Sequence, residues 1–250
     1  MPAITGRNHA PLSDSPPSRT ETRTHAGWLM RAASETAAIT NEGRIERVSE
    51  REDEEAGMRA AAGRDRWDVV ATLVLQRYGQ ELLEYLIATG RSEADGGDAF
   101  SLFCERMWRG LPRFRGDATF RTWCYTLARR ALADVKRTAP ARRARHHARL
   151  SEMPELAALA ADVRTRTVSQ LGTAARDALA EVKDALEPAD RELLILRIDR
   201  KLAWRDVARI MNEGDALDGD ALERRTAALR KRFDKLKEKL RTAVERTRSP

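Results

Sequence analysis

Apolar side chains recur at intervals of three and four residues along most of this chain, and this spacing constrains the fold more than any other feature. From Asp98 to Gly110 it predicts a helix with one apolar face, because residues three and four apart lie on the same side of a helix. That face carries Phe100, Phe103, Cys104, Met107 and Leu111. The alternation of apolar and polar residues that indicates β-strands is almost absent. The sequence therefore predicts an all-α fold.

A short loop separates this helix from a second one. Leu111-Pro112 ends the first helix, because proline lacks a backbone donor and disfavours helical geometry in the residue before it. The basic and aromatic loop at 113–117 follows. The apolar face of the second helix is expected to carry Phe120, Trp123, Cys124, Leu127, Ala131 and Val135. Its exposed positions are expected to carry Arg121, Arg129, Arg130, Lys136 and Arg137. Such a cationic surface beside aromatic rings suits a polyanion with unstacked bases.

Many residues of this segment match one family pattern at fixed spacing. They are Asp98, Trp108, Arg113-Phe114-Arg115-Gly116, Phe120, Trp123, Ala128-Arg129, Asp134 and Arg137. With these matches, residues 98–137 resemble the core of region two of bacterial RNA polymerase sigma factors, especially the extracytoplasmic-function group. Ser101 and Arg130 depart from the pattern, since the family usually has Gln and Asn at these positions.

The resemblance implies a role for each of the two helices. In the family, the first helix binds a coiled coil of the largest polymerase subunit, and the second helix with its preceding loop holds DNA. The implied polymerase-binding residues, all expected at exposed positions, are Asp98, Glu105, Arg106 and Arg109. The implied DNA-binding residues of this region are Arg113, Arg115, Phe120, Arg121, Arg129, Arg130, Lys136 and Arg137. Phe114 and Phe120 would form apolar walls for a flipped base. The alternative is that Phe120 and Trp123 are plain core residues.

Composition agrees with a nucleic-acid partner. Of the 250 residues 34% are charged, and the formal net charge is +7, which favours nucleic acid or an acidic protein surface as partner. No apolar run reaches the roughly 18 residues needed to span a bilayer, so a soluble, cytoplasmic protein is expected. Cys104 and Cys124 fall on apolar faces and are expected to be buried free thiols in a reducing compartment, with a redox pair as the alternative.

The first 65 residues are predicted to be a disordered extension. Residues 1–24 are rich in Pro, Ser, Thr and Arg, and residues 42–66 alternate acidic and basic side chains, which allows at most a solvated helix with no core. Order is expected to begin near Arg66, with an amphipathic helix from Trp67 to about Thr89 that stops at Gly90. The segment 95–97, Asp-Gly-Gly, is predicted to be a turn.

Residues 138–169 are predicted to be a basic linker before a second helical region at 170–250. His146-His147 lies in this linker, but a metal site is disfavoured because adjacent helical residues point about 100° apart and no third ligand is near. Helices are expected at 155–163, 167–186, 193–198, 203–211 and 221–246, with a Gly- and Asp-rich turn at 212–220. Asp190 is expected to cap the helix that follows Pro188.

The C-terminal order of helix, turn and basic helix is the layout of a helix-turn-helix, whose second helix enters the major groove. Leu186, Pro188, Arg191 and Trp204–Ala208 make this segment resemble region four of the same sigma family. The implied DNA contacts are Arg224, Arg225 and Lys231. The turn is longer than the family usually has, and Ala227 and Ala228 replace longer side chains. An exposed, salt-bridged helix of a bundle is the alternative.

Together these features predict an all-α sigma factor with two small helical domains, residues 66–137 and 170–250, joined by a basic linker and preceded by a disordered tail. It is expected to bind core RNA polymerase and promoter DNA, direct promoter recognition and help to open the duplex. No enzymatic activity, cofactor or metal is expected. An anti-sigma protein is a further partner that the sequence leaves open. The alternative is a helix-turn-helix DNA-binding regulator with a sigma-like fold that does not engage polymerase.

Overall fold

A computed structural model describes residues 41–137, 154–173, 186–214 and 217–248 of the chain. Within these ranges it has eight α-helices and no strand, so the all-α prediction is confirmed. The helices are α1 Asn41–Ala62, α2 Trp67–Gly90, α3 Glu93–Gly110, α4 Phe120–Arg137, α5 Pro154–Thr173, α6 Pro188–Leu194, α7 Trp204–Ile210 and α8 Gly219–Arg248. Helix α6 continues as one turn of π-helix, Ile195–Asp199.

Contacts divide the chain into two compact units, Met1–Asp53 and Glu54–Pro250. The described part of the first unit, residues 41–53, is the charged beginning of α1. The second unit holds the end of α1 and all of α2 to α8. No described helix combines the length and the apolar character that crossing a bilayer requires.

Helices α2, α3 and α4 form a bundle around one apolar core. Each turns its apolar stripe inward, as the three- and four-residue spacing predicts. The stripes contribute Val70, Val74, Leu82 and Leu86 from α2, Phe100, Phe103 and Met107 from α3, and Cys124, Ala128, Leu132 and Val135 from α4. Tyr85 and Tyr125 meet edge to face with their ring centroids 5.1 Å apart, an arrangement favoured by the ring quadrupoles.

The predicted turn at 95–97 is wrong, because these residues form part of the first turns of α3. The chain reverses earlier, at Arg91, whose φ of 59° is left-handed and whose amide donates to the carbonyl of Ile87. The Ser92 side chain then accepts a hydrogen bond from the amide of Asp95 at 3.1 Å and caps α3. Gly96 serves close packing, since a Cβ there would lie 2.6 Å from Cγ1 of Ile87.

The prediction of a coreless N-terminal segment is wrong for the residues from Glu54 onward. Met58 of α1 is fully buried in the main core, and the Glu55 side chain is buried beside it on the same helix. Glu54 forms an ion pair with Arg77 of α2. Met58, the partly buried Ala61 and Ala62, and two carboxylates attach this part of α1 to the bundle. So sparse a pattern produces no apolar periodicity that can be detected in the sequence.

Half of the predicted linker is also a packed helix. The prediction gave separate helices at 155–163 and 167–186, whereas α5 runs unbroken from Pro154 to Thr173. Leu156, Ala160 and Val163 are buried in the main core. Helix α5 approaches α2 closely at Gly79, where a Cβ would lie 3.0 Å from Cγ2 of Val163. Residues 138–153, with His146-His147, and residues 174–185 lie outside the described ranges.

Helices α6, α7 and α8 pack together, and their buried apolar side chains belong to the same core cluster as those of the bundle. Leu193, Leu196, Val207, Leu229 and Phe233 are buried, and Trp204 meets Phe233 edge to face at 5.3 Å. The predicted order of helix, turn and long basic helix is confirmed here. The predicted cap is wrong, because Asp190 pairs with Arg232 of α8 at 2.5 Å and the residue at the helix start, Glu187, makes no side-chain cap.

Candidate nucleic-acid interface

The loop between α3 and α4 folds an aromatic ring back over the start of α4. Leu111–Arg113 forms a 3-10 turn, and the amide of Phe114 donates to the carbonyl of Leu111 at 3.0 Å. The Phe114 ring stacks on Phe120 with centroids 4.2 Å apart and lies 5.3 Å from Trp123. Gly116 has a φ of 78°, a left-handed conformation that would be strained for a residue with a side chain. This conformation lets the chain turn back toward α4.

This geometry favours the alternative that Phe120 is a core residue over its predicted role as a wall for a flipped base. Its side chain is fully buried beneath Phe114, so its ring is not open to a base in this conformation. Phe114 is half-buried and forms the outer member of the stack. Trp123 is also half-buried and packs against Gly110, where a Cβ would lie 2.9 Å from Cζ2 of the indole. Phe120 therefore supports the accessible ring from below.

Two arginines flank Phe114 in the sequence. Arg113 and Arg115 are exposed, and neither makes an ion pair with any residue that the structure describes. Further along α4, Arg130 and Lys136 are exposed on the helix. Arg130 has one long hydrogen bond, 3.5 Å to the carbonyl of Gly214. These four cations lie at the surface as the sequence predicted.

The prediction that Arg121 is exposed is wrong. Its side chain donates to both carboxylate oxygens of Glu81 at 2.7 and 3.0 Å and to the carbonyl of Arg200 at 3.0 Å. Burial lowers the pKa of the Arg121 guanidinium, but the hydrogen bonds and charge of Glu81 outweigh burial, so the pKa is raised. The first turn of α4 faces α2, and this orientation places Arg121 inside the bundle.

Arg129, also predicted to be exposed, is largely buried against the C-terminal helices. It pairs with Glu192 of α6 at 2.9 Å and with Glu213 of the α7–α8 loop at 3.2 Å. Glu192 also accepts a hydrogen bond from the hydroxyl of Tyr85 at 2.6 Å. Burial and the neighbouring Glu192 carboxylate raise the pKa of Tyr85 well above its ordinary value. Arg129, Glu192, Glu213 and Tyr85 thus form one connected polar group.

A carboxylate from α1 caps α4, which the sequence did not reveal. The Glu55 oxygens accept hydrogen bonds from the amides of Phe120 at 2.9 Å and Arg121 at 3.1 Å, and from the hydroxyl of Tyr78 at 3.1 Å. An acidic group at a helix N-terminus satisfies unpaired amides and complements the helix dipole. The capping residue lies 65 positions before the helix it caps, so no local spacing reveals it.

The predicted polymerase-binding face of α3 is less exposed than expected. Glu105 is buried and pairs with exposed Arg109 at 3.1 Å. Arg106 is half-buried and pairs with Asp134 of α4 at 2.5 Å, while Asp98 is half-buried. Of the four predicted residues, Arg109 is the one at a fully exposed position. The side chains of the other three are half-buried or buried.

Asp134 of α4 pairs with two arginines, one on α3 and one on α4. It accepts hydrogen bonds from Arg106 at 2.5 Å and from exposed Arg137 at 2.6 Å. Burial raises the pKa of the Asp134 carboxyl, but the two arginines outweigh burial and hold the pKa below its ordinary value. Asp134 and Arg137 both belong to the sigma-like pattern, and here they pair with each other.

On α8, Arg224 and Lys231 are exposed as predicted. Arg225 is also exposed, but its guanidinium donates to the carbonyl of Met211 at 3.1 Å and so ties α8 to the end of α7. The amide of Ala221 donates to the Asp218 carboxylate at 2.6 Å, which caps the helix. The relative placement of α7 and α8 is thus fixed at both ends of the connecting loop.

The two cysteines lie in the core as predicted. Both are free thiols, and burial raises the pKa of Cys104 to about 12 and that of Cys124 well above its ordinary value. Among the described residues no group of three His, Cys, Asp or Glu side chains is arranged to hold a metal ion.

Residues 74–142 match the family model of sigma-70 region 2. The match covers most of α2, all of α3 and α4, and the loop with Phe114. No curated protein and no solved structure gives a significant match to the chain. The bundle is therefore a sigma-70 region 2 domain, and the resemblance seen in the sequence is confirmed for this region.

The match covers residues 74–142 of the 250, and it supports a sigma-factor role in promoter recognition with RNA polymerase. The match ends before α6, so the resemblance of the C-terminal helices to region four stays a prediction.

Proposed function

We propose that this protein is a sigma factor that binds core RNA polymerase, directs it to promoters and helps to open the DNA. The observation that carries the proposal is the pair of exposed arginines on either side of Phe114 in the sequence, whose half-buried ring stacks on Phe120, within a segment that matches sigma-70 region 2. Opened DNA needs cations for its phosphates and a flat apolar surface for unstacked bases. Arg113, Arg115 and Phe114 supply both.

The opening site centres on Phe114, with Phe120 beneath it. A base that leaves the stack would pack on the outer face of the Phe114 ring, whose inner face is held by Phe120. Arg113 and Arg115 would bind the phosphates on either side. Because the ring is supported from below, its position does not depend on the DNA.

The cations of α4 extend this surface along the helix. Arg130 and Lys136 are exposed, and Arg137 is 75% exposed although it pairs with Asp134. Arg130 stands where the family usually has Asn, so we infer that it binds a phosphate in place of a base. Arg121 lies inside the bundle, where it supports the fold, and it is not assigned a direct contact to DNA.

Polymerase would bind the outer surface of α3. Arg109 offers an exposed charge, and Glu105 holds it in place through their pair at 3.1 Å. Asp98 and Arg106 would lie at the margin of this surface. A change of Arg109 to Glu should therefore weaken core binding more than a change of the buried Glu105 that preserves its shape.

The upstream promoter element would be read by α8. Arg224 and Lys231 are the exposed candidates to bind phosphates or bases, while Arg225 is held by Met211 and would position the helix. If Arg224 binds a phosphate, Arg224→Ala should weaken binding to every DNA sequence alike. If it binds a base, the same change should cost about 1–3 kcal/mol at one base pair. This part of the proposal rests on the helix order alone.

Strand opening tests the proposed site directly. In the Arg113→Ser, Arg115→Ser double variant, Phe114 remains and the aromatic stack is preserved, so the fold and core binding should be unchanged. We expect permanganate reactivity of thymines in the opened region to fall about tenfold or more, because two cations that would bind phosphates are removed. The matched control is Arg64→Ser, which removes an exposed arginine from the α1–α2 loop. Normal permanganate reactivity in the double variant would show that the loop is not part of the opening site.

A further inference from the structure

The end of α1 reaches the first turn of α4 through one buried carboxylate. Glu55 is 9% exposed. One of its oxygens accepts a hydrogen bond from the amide of Phe120 at 2.9 Å, and the other accepts from the amide of Arg121 and the hydroxyl of Tyr78, both at 3.1 Å. A buried carboxylate is tolerated only where such donors replace its hydration. Glu55 is therefore built into the junction of α1, α2 and α4.

The donors on α2 hold the end of α1 in place. Burial and, after it, the negative charge of Glu55 raise the pKa of Tyr78, so its hydroxyl keeps the proton that it donates. The neighbouring Glu54 makes a more exposed tie, an ion pair with Arg77 of α2. Of these two carboxylates, Glu55 is the one hydrogen-bonded to α4.

The first turn of α4 also has contacts that do not involve Glu55. The Thr119 hydroxyl accepts a hydrogen bond from the amide of Thr122 at 3.1 Å and caps the helix locally. Arg121 holds the same turn to α2 through Glu81. These contacts remain when Glu55 is changed. The helix is therefore expected to form without Glu55, whose own contribution is to fix where the first turn lies.

Glu55 binds the backbone of the residue that supports the aromatic ring of the proposed opening site. Phe120 is buried, and its ring stacks on that of Phe114 with the centroids 4.2 Å apart. The two rings are in close contact, and closely packed side chains transmit a displacement to their neighbours. A shift in the first turn of α4 would therefore move the Phe114 ring.

We propose that Glu55 is a positioning residue for strand opening. It fixes the first turn of α4 and, through Phe120, holds the Phe114 ring where an unstacked base would pack. A ring that is already in position needs no ordering when the base arrives. The role in opening rests on the proposed function, whereas the effect of Glu55 on the position of Phe114 does not.

Two neighbouring variants separate this role from the general docking of α1. Glu55→Gln keeps the length of the side chain but replaces one acceptor oxygen with an NH2 group, so at least one donor loses its acceptor. Glu54→Gln is the matched control, because it removes the same charge and a tie between α1 and α2 but leaves α4 untouched. Tyr78→Phe is a milder second variant that removes one donor to Glu55. Circular dichroism at the assay temperature verifies that each variant is folded.

The first measurement follows the ring itself, in the protein without polymerase or DNA. With 4-fluorophenylalanine incorporated at Phe114 alone, the fluorine resonance reports the surroundings of the ring. We expect this resonance to shift or broaden in Glu55→Gln, to change in the same direction but less in Tyr78→Phe, and to match the parent in Glu54→Gln. An unchanged resonance in folded Glu55→Gln would overturn the positioning role.

The second measurement compares two templates with core RNA polymerase. One is a duplex promoter from which transcription depends on the protein, and the other is the same promoter with mismatched bases across the opened region. On the duplex we expect Glu55→Gln to lower transcript yield about tenfold, the effect of losing a hydrogen bond to a charged group. On the pre-opened template its yield should return to the parental level. Glu54→Gln should stay within about twofold of the parent on both templates.

The pre-opened template distinguishes positioning from folding. A merely structural defect would lower transcription from both templates alike, and this result would disprove the positioning role, as would parental yield from the duplex. If the parent protein supports no transcription from either template, the proposed function fails and the role of Glu55 in opening fails with it. The fluorine spectrum would then still show whether Glu55 positions the Phe114 ring.

Discussion

Arg121 and Arg130 lie on the same helix but in different environments, one buried and one exposed. Both lie on α4 and both were predicted to be exposed, yet Arg121 is 8% exposed and bound to Glu81, while Arg130 is at the surface. Helical spacing distinguishes apolar from polar faces, but it does not tell which arginine finds a buried carboxylate on another helix. That depends on contacts between residues 40 positions apart.

Glu55 allows the most specific prediction at this scale. In Glu55→Ala the amides of Phe120 and Arg121 lose their acceptor inside the protein, so we expect the free energy of unfolding to fall by about 1–3 kcal/mol. Urea denaturation followed by circular dichroism measures the loss. Glu52→Ala, an exposed carboxylate of the same helix, is the control and should change it by less than about 0.5 kcal/mol. Equal stabilities for the two variants would show that Glu55 does not cap α4.

The cysteines test the core at the same scale. With a pKa of about 12 for Cys104, roughly one thiol in ten thousand is ionised at pH 8, and the thiolate is the species that reacts. We expect iodoacetamide to leave both thiols unmodified in the native protein and to modify both in urea, as read by mass spectrometry. Rapid native labelling of either cysteine would mean that the core opens around α3 and α4.

At the scale of elements, the sequence predicted α2, most of α3 and α4 because each has a continuous apolar stripe. It missed the docking of α1, which depends on Met58, two partly buried alanines and two carboxylates, and that of α5, where Leu156, Ala160 and Val163 stand in a segment that reads as a linker. Tertiary packing orders these short segments, and because only a few of their apolar side chains are buried in the core, the sequence pattern does not reveal the packing. The corner between α2 and α3 was misplaced because Gly96 permits close packing as well as turns.

The Arg106–Asp134–Arg137 group links α3 to α4 and gives a pH prediction. The pKa of Asp134 is lower in the folded state than its ordinary value of 3.8, so its contribution to stability is present above that value and is lost as the pH falls through the folded pKa. Because Asp134 is 35% exposed, we expect Asp134→Asn to lower the free energy of unfolding by at most about 1 kcal/mol at pH 7.

Unfolding in urea at a series of pH values measures this difference. The stabilities of Asp134→Asn and the parent should converge as the pH drops below 3.8, the ordinary value, because the parent carboxyl is then protonated as well. A difference that stays constant down to about pH 2 would show that the loss comes from packing rather than from the charge of Asp134.

At the scale of the whole molecule, the sequence predicted the fold class and the resemblance of one segment to sigma-70 region 2, because region 2 is specified by many residues at fixed spacing. It did not predict the ion pairs that join the C-terminal helices to the bundle, Arg129 with Glu192 and Arg200 with Glu84. Arg129 and Glu192 are 63 positions apart and Arg200 and Glu84 are 116 apart, and each reads in sequence as an ordinary surface charge. The exposure of Arg130 was predicted correctly and that of Arg129 was not, because the carboxylate partners of Arg129 are visible only in three dimensions.

The central claim is that this protein directs core RNA polymerase to promoters. The most direct measurement is transcription from genomic DNA of the source cell by its core polymerase, with and without the protein, followed by sequencing of transcript 5′ ends. We predict a set of start sites that appears only with the protein and shares one upstream motif, and that is lost with the Arg113→Ser, Arg115→Ser variant but kept with Arg64→Ser. Identical start sites with and without the protein would contradict the assignment, and DNA binding that persists under those conditions would identify a regulator that does not engage polymerase.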